Sequence, residues 1–132
     1  MHIRKLTALM IISALLLIIV IAVSFKIDAG INNENIEYIN KLGRQVEEKF
    51  CDISYFTIPE EFDSALSAYN RGIKNYGFDL TPYKGARVTG YIYVTTDSSH
   101  PSYIRIIRYK GTIISADISS SDGYFIPLPS KS

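Results

Sequence analysis

The sequence predicts an α+β protein: an N-terminal transmembrane helix attached to a small two-layer domain. In that domain a helix, an extended segment and a second helix precede a three-stranded antiparallel meander. Three observations carry this reading. Leu6 to Phe25 is a run of twenty residues without a charge, an apolar stripe at helical spacing follows Pro59, and from Val88 onward apolar and polar residues alternate with a period of two.

The first element is the anchor. Twenty helical residues at 1.5 Å each span about 30 Å, the thickness of a bilayer's hydrocarbon core. Thr7, Ser13 and Ser24 are compatible with it because their hydroxyls can bond to helix carbonyls. Arg4 and Lys5 precede the run, whereas Lys26 after it is soon balanced by Asp28, so the positive-inside rule places the N-terminus in the cytoplasm. This gives a cytoplasmic head over residues 1–5, a single-pass signal anchor over 6–25, a linker over 26–31, an extracytoplasmic domain over 32–119 and an irregular tail over 120–132. The rival is a cleaved signal peptide, with Ala22 and Ser24 as the small residues before the cut and a secreted product. The apolar run is longer than the roughly 7–15 residues usual for such a peptide, which favours the uncleaved anchor. No cysteine lies near its end, so a lipoprotein anchor is not expected.

In the domain, Asn32 is placed to cap a short helix whose Ile36, Ile39 and Leu42 share a face and which Gly43 ends. Phe50 to Ile58 has partial alternation and reads as extended chain at a sheet edge. Pro59 suits a first helical position, and Phe62, Ala65, Leu66, Tyr69, Ile73 and Tyr76 then form one apolar stripe that stops at Gly77. Pro82 and Gly85 mark a connecting turn. Val88, Gly90, Ile92 and Val94 alternate with Thr89, Tyr91 and Tyr93 as a strand; Tyr103 to Tyr109 and Thr112 to Ile118 are two more, joined at Lys110-Gly111 in a tight hairpin.

Charge and composition exclude several functions. Without Arg4 and Lys5, twelve basic residues face thirteen acidic ones, so there is no excess of positive charge for nucleic acid and no polybasic run for anionic lipid. The bilayer contact rests on residues 6–25 alone. Cys51 is the only cysteine, which leaves no internal disulfide and no thiol cluster; it reads as a buried small hydrophobe, the alternative being an intermolecular disulfide. His2 and His100 fall on opposite sides of the membrane, so no histidine metal site or histidine-assisted nucleophile is expected, nor any cofactor. Asp79 and Asp117 could serve as acid and base, but the simpler reading has Asp79 capping a turn and Asp117 facing solvent.

The ten tyrosines suggest a different use. Tyr91 and Tyr93 share one strand face, and Tyr103, Arg105 and Tyr109 share one on the next strand. Were these faces the same, they would form an aromatic and basic interaction surface. Asp79, Tyr83 and Lys84 in the preceding turn are a second candidate contact.

Ile58-Pro59-Glu60-Glu61-Phe62-Asp63, Tyr69-Asn70 and the run Gly77-Phe78-Asp79-Leu80-Thr81-Pro82-Tyr83-Lys84-Gly85 together resemble an uncharacterised Firmicute family, domain of unknown function 4830. Arg108-Tyr109-Lys110-Gly111 and Asp117-Ile118 resemble that family's closing hairpin, and the similarity covers roughly residues 36–119. The chain departs from the family pattern in having Ser115 and Ala116 for paired glycines, Ser119 for a frequent cysteine and Arg44 for an aromatic after Gly43. The resemblance implies a small exported or anchored domain of Gram-positive bacteria and brings no reaction or ligand. The expectation is therefore a non-enzymatic binding or interaction module of the cell envelope, meeting another envelope protein or a peptide. The alternatives are a carboxylate-dependent envelope hydrolase and an accessory subunit that acts through its transmembrane helix.

Overall fold

The structure, a computed structural model, describes residues 2–119 and 122–130, and of residues 24–28 the backbone alone. Ser120, Ser121, Lys131 and Ser132 of the expected tail, and the side chains of Ser24, Lys26 and Asp28, thus lie outside the described residues. The chain divides into two compact units, Met1–Glu34 and Asn35–Ser132.

The first unit belongs to a single helix, α1 (His2–Lys41). Its stretch His2–Val23 is long and apolar enough to cross a membrane, with its large apolar side chains exposed. Thr7 Oγ1 donates to the Ile3 carbonyl at 2.8 Å, so the hydroxyl is satisfied within the helix as expected. The expected linker and the cap at Asn32 are not found, because α1 continues through both. A helix already nucleated adds residues at little further cost. Between Lys26 and Ile31 only Gly30 opposes it, by about 1 kcal/mol, and no proline interrupts. The end of α1 is as the sequence suggests: Gly43 takes φ 80°, and its N–H donates to the Asn40 carbonyl at 2.9 Å.

Among the described residues the second unit is built on five antiparallel strands in sequential order: β1 (Asp52–Thr57), β2 (Arg87–Val94), β3 (Tyr103–Tyr109), β4 (Thr112–Ser119) and β5 (Phe125–Pro127). The three strands of the expected meander are its centre, and two more flank them. β1 is the anticipated edge segment. β5 was expected to be irregular tail; at three residues ending in proline it is too short to show a period, yet it pairs Phe125 with Ser119 and Ile126 with Ile118. The chain after it is tied down as well. Leu128 N–H donates to the Ala116 carbonyl at 2.9 Å, Ser130 N–H to that of Tyr76 at 2.8 Å, and the Tyr38 hydroxyl to that of Pro129.

Strand register decides the layering. Tyr91 and Tyr93 lie opposite Ile106 and Ile104, on one face, whereas Ile92 and Asp117 both lie opposite Arg105, on the other. Asn35, in the last turns of α1, bonds to Tyr93 and Arg108 on the first face. Helix α2 (Ser64–Lys74) bonds through Tyr69 to Ser115 and Asp117 on the second. The sheet is therefore the middle of three layers, not one of two. Buried Ile104, Ile106 and Ile107 alternate across both faces, so both need cover.

α2 also starts later than its apolar stripe suggests. Asp63 is the cap, its carboxylate accepting from Leu66 N–H at 2.8 Å, and Pro59 belongs to the exit from β1. The Ile58 carbonyl there accepts from Gly85 N–H, which extends the pairing of β1 beyond Thr57. Ala65 and Tyr76 are exposed, while Asn70 and Ile73 are buried. Gly77 ends the helix at φ 93°, and a Cβ there would lie 2.2 Å from Ser130 Oγ. Gly72, inside α2, would meet nothing within 4 Å. Alanine at these two sites should act in opposite directions. Gly77→Ala is expected to destabilise the chain by about 1–2 kcal/mol and Gly72→Ala to stabilise it by about 0.5–1 kcal/mol. Urea unfolding of the detergent-solubilised chain, followed by tyrosine fluorescence, checks both; equal signs would contradict the assignment of the helix end.

Candidate functional site

The eight residues singled out from the sequence fall into separate places. Tyr91 and Tyr93 are buried under the end of α1, with the Phe50 ring edge-on at 5.3 and 6.2 Å and Asn35 Nδ2 donating to the Tyr93 hydroxyl at 3.1 Å. Burial pushes the Tyr93 hydroxyl up to about 12. The expected single surface therefore does not form: the register sets these tyrosines on the face opposite Tyr103 and Arg105. Tyr103 is 47% exposed there. Tyr83 and Tyr109 do meet, edge to face at 5.4 Å, with Lys110 over the Tyr109 ring and Lys84 over that of Phe62.

Asp79 belongs to the connector between α2 and β2, the stretch with the most specific resemblance. Its Oδ1 accepts from Asn70 Nδ2 at 3.0 Å and from Thr81 N–H at 2.9 Å, while Asn70 Oδ1 accepts from Leu80 N–H at 2.7 Å. Phe78 and Leu80 are buried between these bonds. Gly85 closes the run at φ 76°, where a Cβ would overlap Glu60. The family-like run is thus a structural clasp of α2 to β2, and Asp79 caps a turn as expected.

Asp117 and Cys51 differ from expectation. Cys51 is exposed. Asp117 is buried, at 1% exposure. Its Oδ2 accepts from Arg105 Nη2 at 2.6 Å and from the Tyr69 hydroxyl at 2.7 Å. With its one proton given to Asp117, the Tyr69 oxygen accepts from Ser115 Oγ at 2.7 Å. Arg105 lies between the rings of Phe125, at 5.0 Å, and Tyr69, at 5.8 Å. Burial and the neighbouring Asp117 carboxylate raise the Tyr69 hydroxyl to about 12, so it stays protonated near neutral pH. The sequence hides this cluster because a bulge sets it. The hairpin at Lys110-Gly111 pairs Arg108 with Ile113, but beyond the register shift Ile107 pairs with Ser115 and Arg105 with Asp117. A plain hairpin count would set Arg105 opposite Ala116.

Beside this cluster a cleft of about 180 Å³ opens between α2 and the sheet. Phe56, Ile58 and Pro59 of β1 and its exit form one wall, Leu66 and Tyr69 of α2 another, with Leu80, Ile107 and Arg105 completing it. Gly90 lies under Phe56; a Cβ there would come within 3.5 Å of the ring and 2.9 Å of Ser54 Oγ. Phe56, Tyr103 and Phe125 stay substantially exposed on the same sheet face. None of these aromatic positions except Tyr103 was anticipated, since face assignment needs the register.

Tyr69 is a poor base, Arg105 is engaged by a carboxylate, and Ser115 has no base beside it. Among the described residues no second acid is hydrogen-bonded to Asp79 or to Asp117, whose Oδ2 has partners while its Oδ1 is buried without one. Among the described residues no group of three or more His, Cys, Asp or Glu side chains is arranged to hold a metal ion.

A family model described as Domain of unknown function (DUF4830) matches residues 25–118, well over half the chain, and agrees with the resemblance read from the connector. No curated protein and no solved structure matches the chain.

The Asp79 clasp gives a pH signature. Hydrogen bonds from Asn70 and Thr81 hold its carboxyl at about 2, below the usual 3.8. A depressed native value contributes stability above the unfolded value, and this is lost as pH falls towards 2. The wild-type urea midpoint should therefore drop more between about pH 5 and pH 2.5 than that of Asp79→Asn. Equal drops would show that the clasp does not depend on the ionised carboxylate.

Proposed function

We propose that this chain, which belongs to the DUF4830 family, is a single-pass membrane protein whose second unit works outside the cytoplasm as a non-enzymatic binding module. Support for the anchor is the helix His2–Val23, with Arg4 and Lys5 at its start as the positive-inside rule asks of a cytoplasmic end. The observation that carries the binding reading is the half-covered sheet face beside α2. It offers an apolar cleft bordered by exposed Phe56, with exposed Tyr103 and Phe125 on the same face, and beside it the Arg105, Asp117 and Tyr69 groups bond to one another while Asp117 Oδ1 and Arg105 Nε are buried without a hydrogen-bond partner among the described residues. Ligand pockets combine apolar walls with a few oriented polar groups.

Both halves of the proposal have a direct test in intact cells. Cys51 is the only cysteine and is exposed, so a membrane-impermeant maleimide should label it without permeabilisation. Labelling only after permeabilisation would reverse the orientation. A photo-crosslinking amino acid at Phe56 should give a discrete adduct, and the same group at Lys110, on the hairpin tip, should not. Adducts of equal yield at the two positions would remove the cleft as the binding site.

A further inference from the structure

The cleft lies against a free strand edge. Among the described residues β1 is the first strand of the sheet and pairs with β2 alone, so the backbone groups along its other side have no strand partner there, although the Ile53 N–H donates to the Asp52 carboxylate at 2.9 Å. Such an edge is a template for one more strand, held at about 4.8 Å by main-chain hydrogen bonds. Phe56 of this strand and Ile58 and Pro59 after it also wall the cleft, although the Ile58 N–H and carbonyl are already bonded to Ala86 and Gly85, so the free edge itself ends at Thr57. A strand added there would present every second side chain to the cleft's face of the sheet. The volume of about 180 Å³ suits one such side chain, since a cavity of about 150 Å³ admits a benzene ring.

Charge selects the occupant. Exposed Glu47, Glu48 and Asp52 lie before or at the start of β1, and exposed Glu60, Glu61 and Asp63 follow its end. Lys49 is the only base in that stretch of sequence. A second copy of this edge would bring like charges together, which disfavours pairing of two chains through β1. A basic strand would meet an excess of acidic side chains at both ends, the bases near the second end being Arg87, opposite Thr57, and Lys84, over the Phe62 ring.

We propose that the free edge of β1 binds an extended basic polypeptide segment by strand addition, with one apolar side chain of that segment seated in the cleft beside Leu66 and Leu80. This rests on the binding reading above and names its partner: a peptide with lysine or arginine at both ends and a large aliphatic residue at its centre.

The test uses the full chain in detergent micelles and a fluorescein-labelled nine-residue peptide, lysine at both ends and threonine and valine alternating around a central leucine. Fluorescence anisotropy should show saturable binding. Replacing the lysines by glutamates, or the central leucine by glycine, should weaken binding at least tenfold. Successive amides of a strand point to opposite sides, so N-methylation of one alternate set should abolish binding and of the other should change it less than about threefold. Because these changes are in the peptide, the protein's fold is not at issue. No saturable binding, equal effects of the two methylated sets, or undiminished binding of the glutamate peptide would each overturn the proposal. So would a dimer in sedimentation that Phe56→Lys dissociates, since it would put a second copy on the edge. Adducts at Phe56 in cells together with equal effects of the two methylated sets would leave the binding module standing and remove strand addition alone.

Discussion

A buried carboxylate has to be matched wherever the chain puts one, and Asp117 is where this chain does so. An ionised carboxylate without partners in a protein interior costs several kcal/mol. Oδ1 is buried without a hydrogen-bond partner among the described residues, but Oδ2, on β4, draws partners from two further elements, Arg105 from β3 and Tyr69 from α2. Satisfying it therefore fixes the register of the hairpin and seats α2 on the sheet in one step. The bulge is what makes this arrangement available. Without the register shift Asp117 would fall opposite Ile104, on the face covered by the end of α1 and away from Arg105 and Tyr69.

The cleft is a consequence of the same seating. α2 is only eleven residues long, and its contact through Tyr69 holds it over β3 and β4. Phe56 of β1 is left half exposed beyond it. Gly90 lets Phe56 lie close to β2, and Arg105, held between the Tyr69 and Phe125 rings, marks the other limit. At the opposite end of α2, the Asp79 clasp and the contact of Ser130 with Tyr76 secure the helix to β2 and to the C-terminal segment.

Much of this architecture is legible in the sequence where the signal is local. Gly43 and Gly77 end helices because each takes a left-handed conformation, and the alternation from Val88 to Val94 is β2. Lys110-Gly111 is the hairpin turn between β3 and β4. Signals that depend on distant partners mislead. Asn32 resembles a cap but lies inside a helix nucleated upstream, and Pro59 resembles a helix start but ends a strand. β5 is held by β4 and has no period of its own. The tyrosines show why the site was harder to read than the fold. Their strand faces are evident, but whether Tyr91 and Tyr93 share a surface with Arg105 depends on pairing between strands, and the pairing separates them. Asp117 adds a second such case, because one extra residue at a bulge decides which neighbour it meets.

The Arg105–Asp117 contact, set by the bulge, organises β3, β4 and α2 together. A double-mutant cycle on Arg105→Met and Asp117→Asn, read as urea-unfolding free energies of the full chain in detergent, measures that contact most directly. The single variants should each be destabilised, and the double variant by less than their sum, giving a coupling of about 1–3 kcal/mol. Additive effects, with a coupling below about 0.5 kcal/mol, would contradict the account.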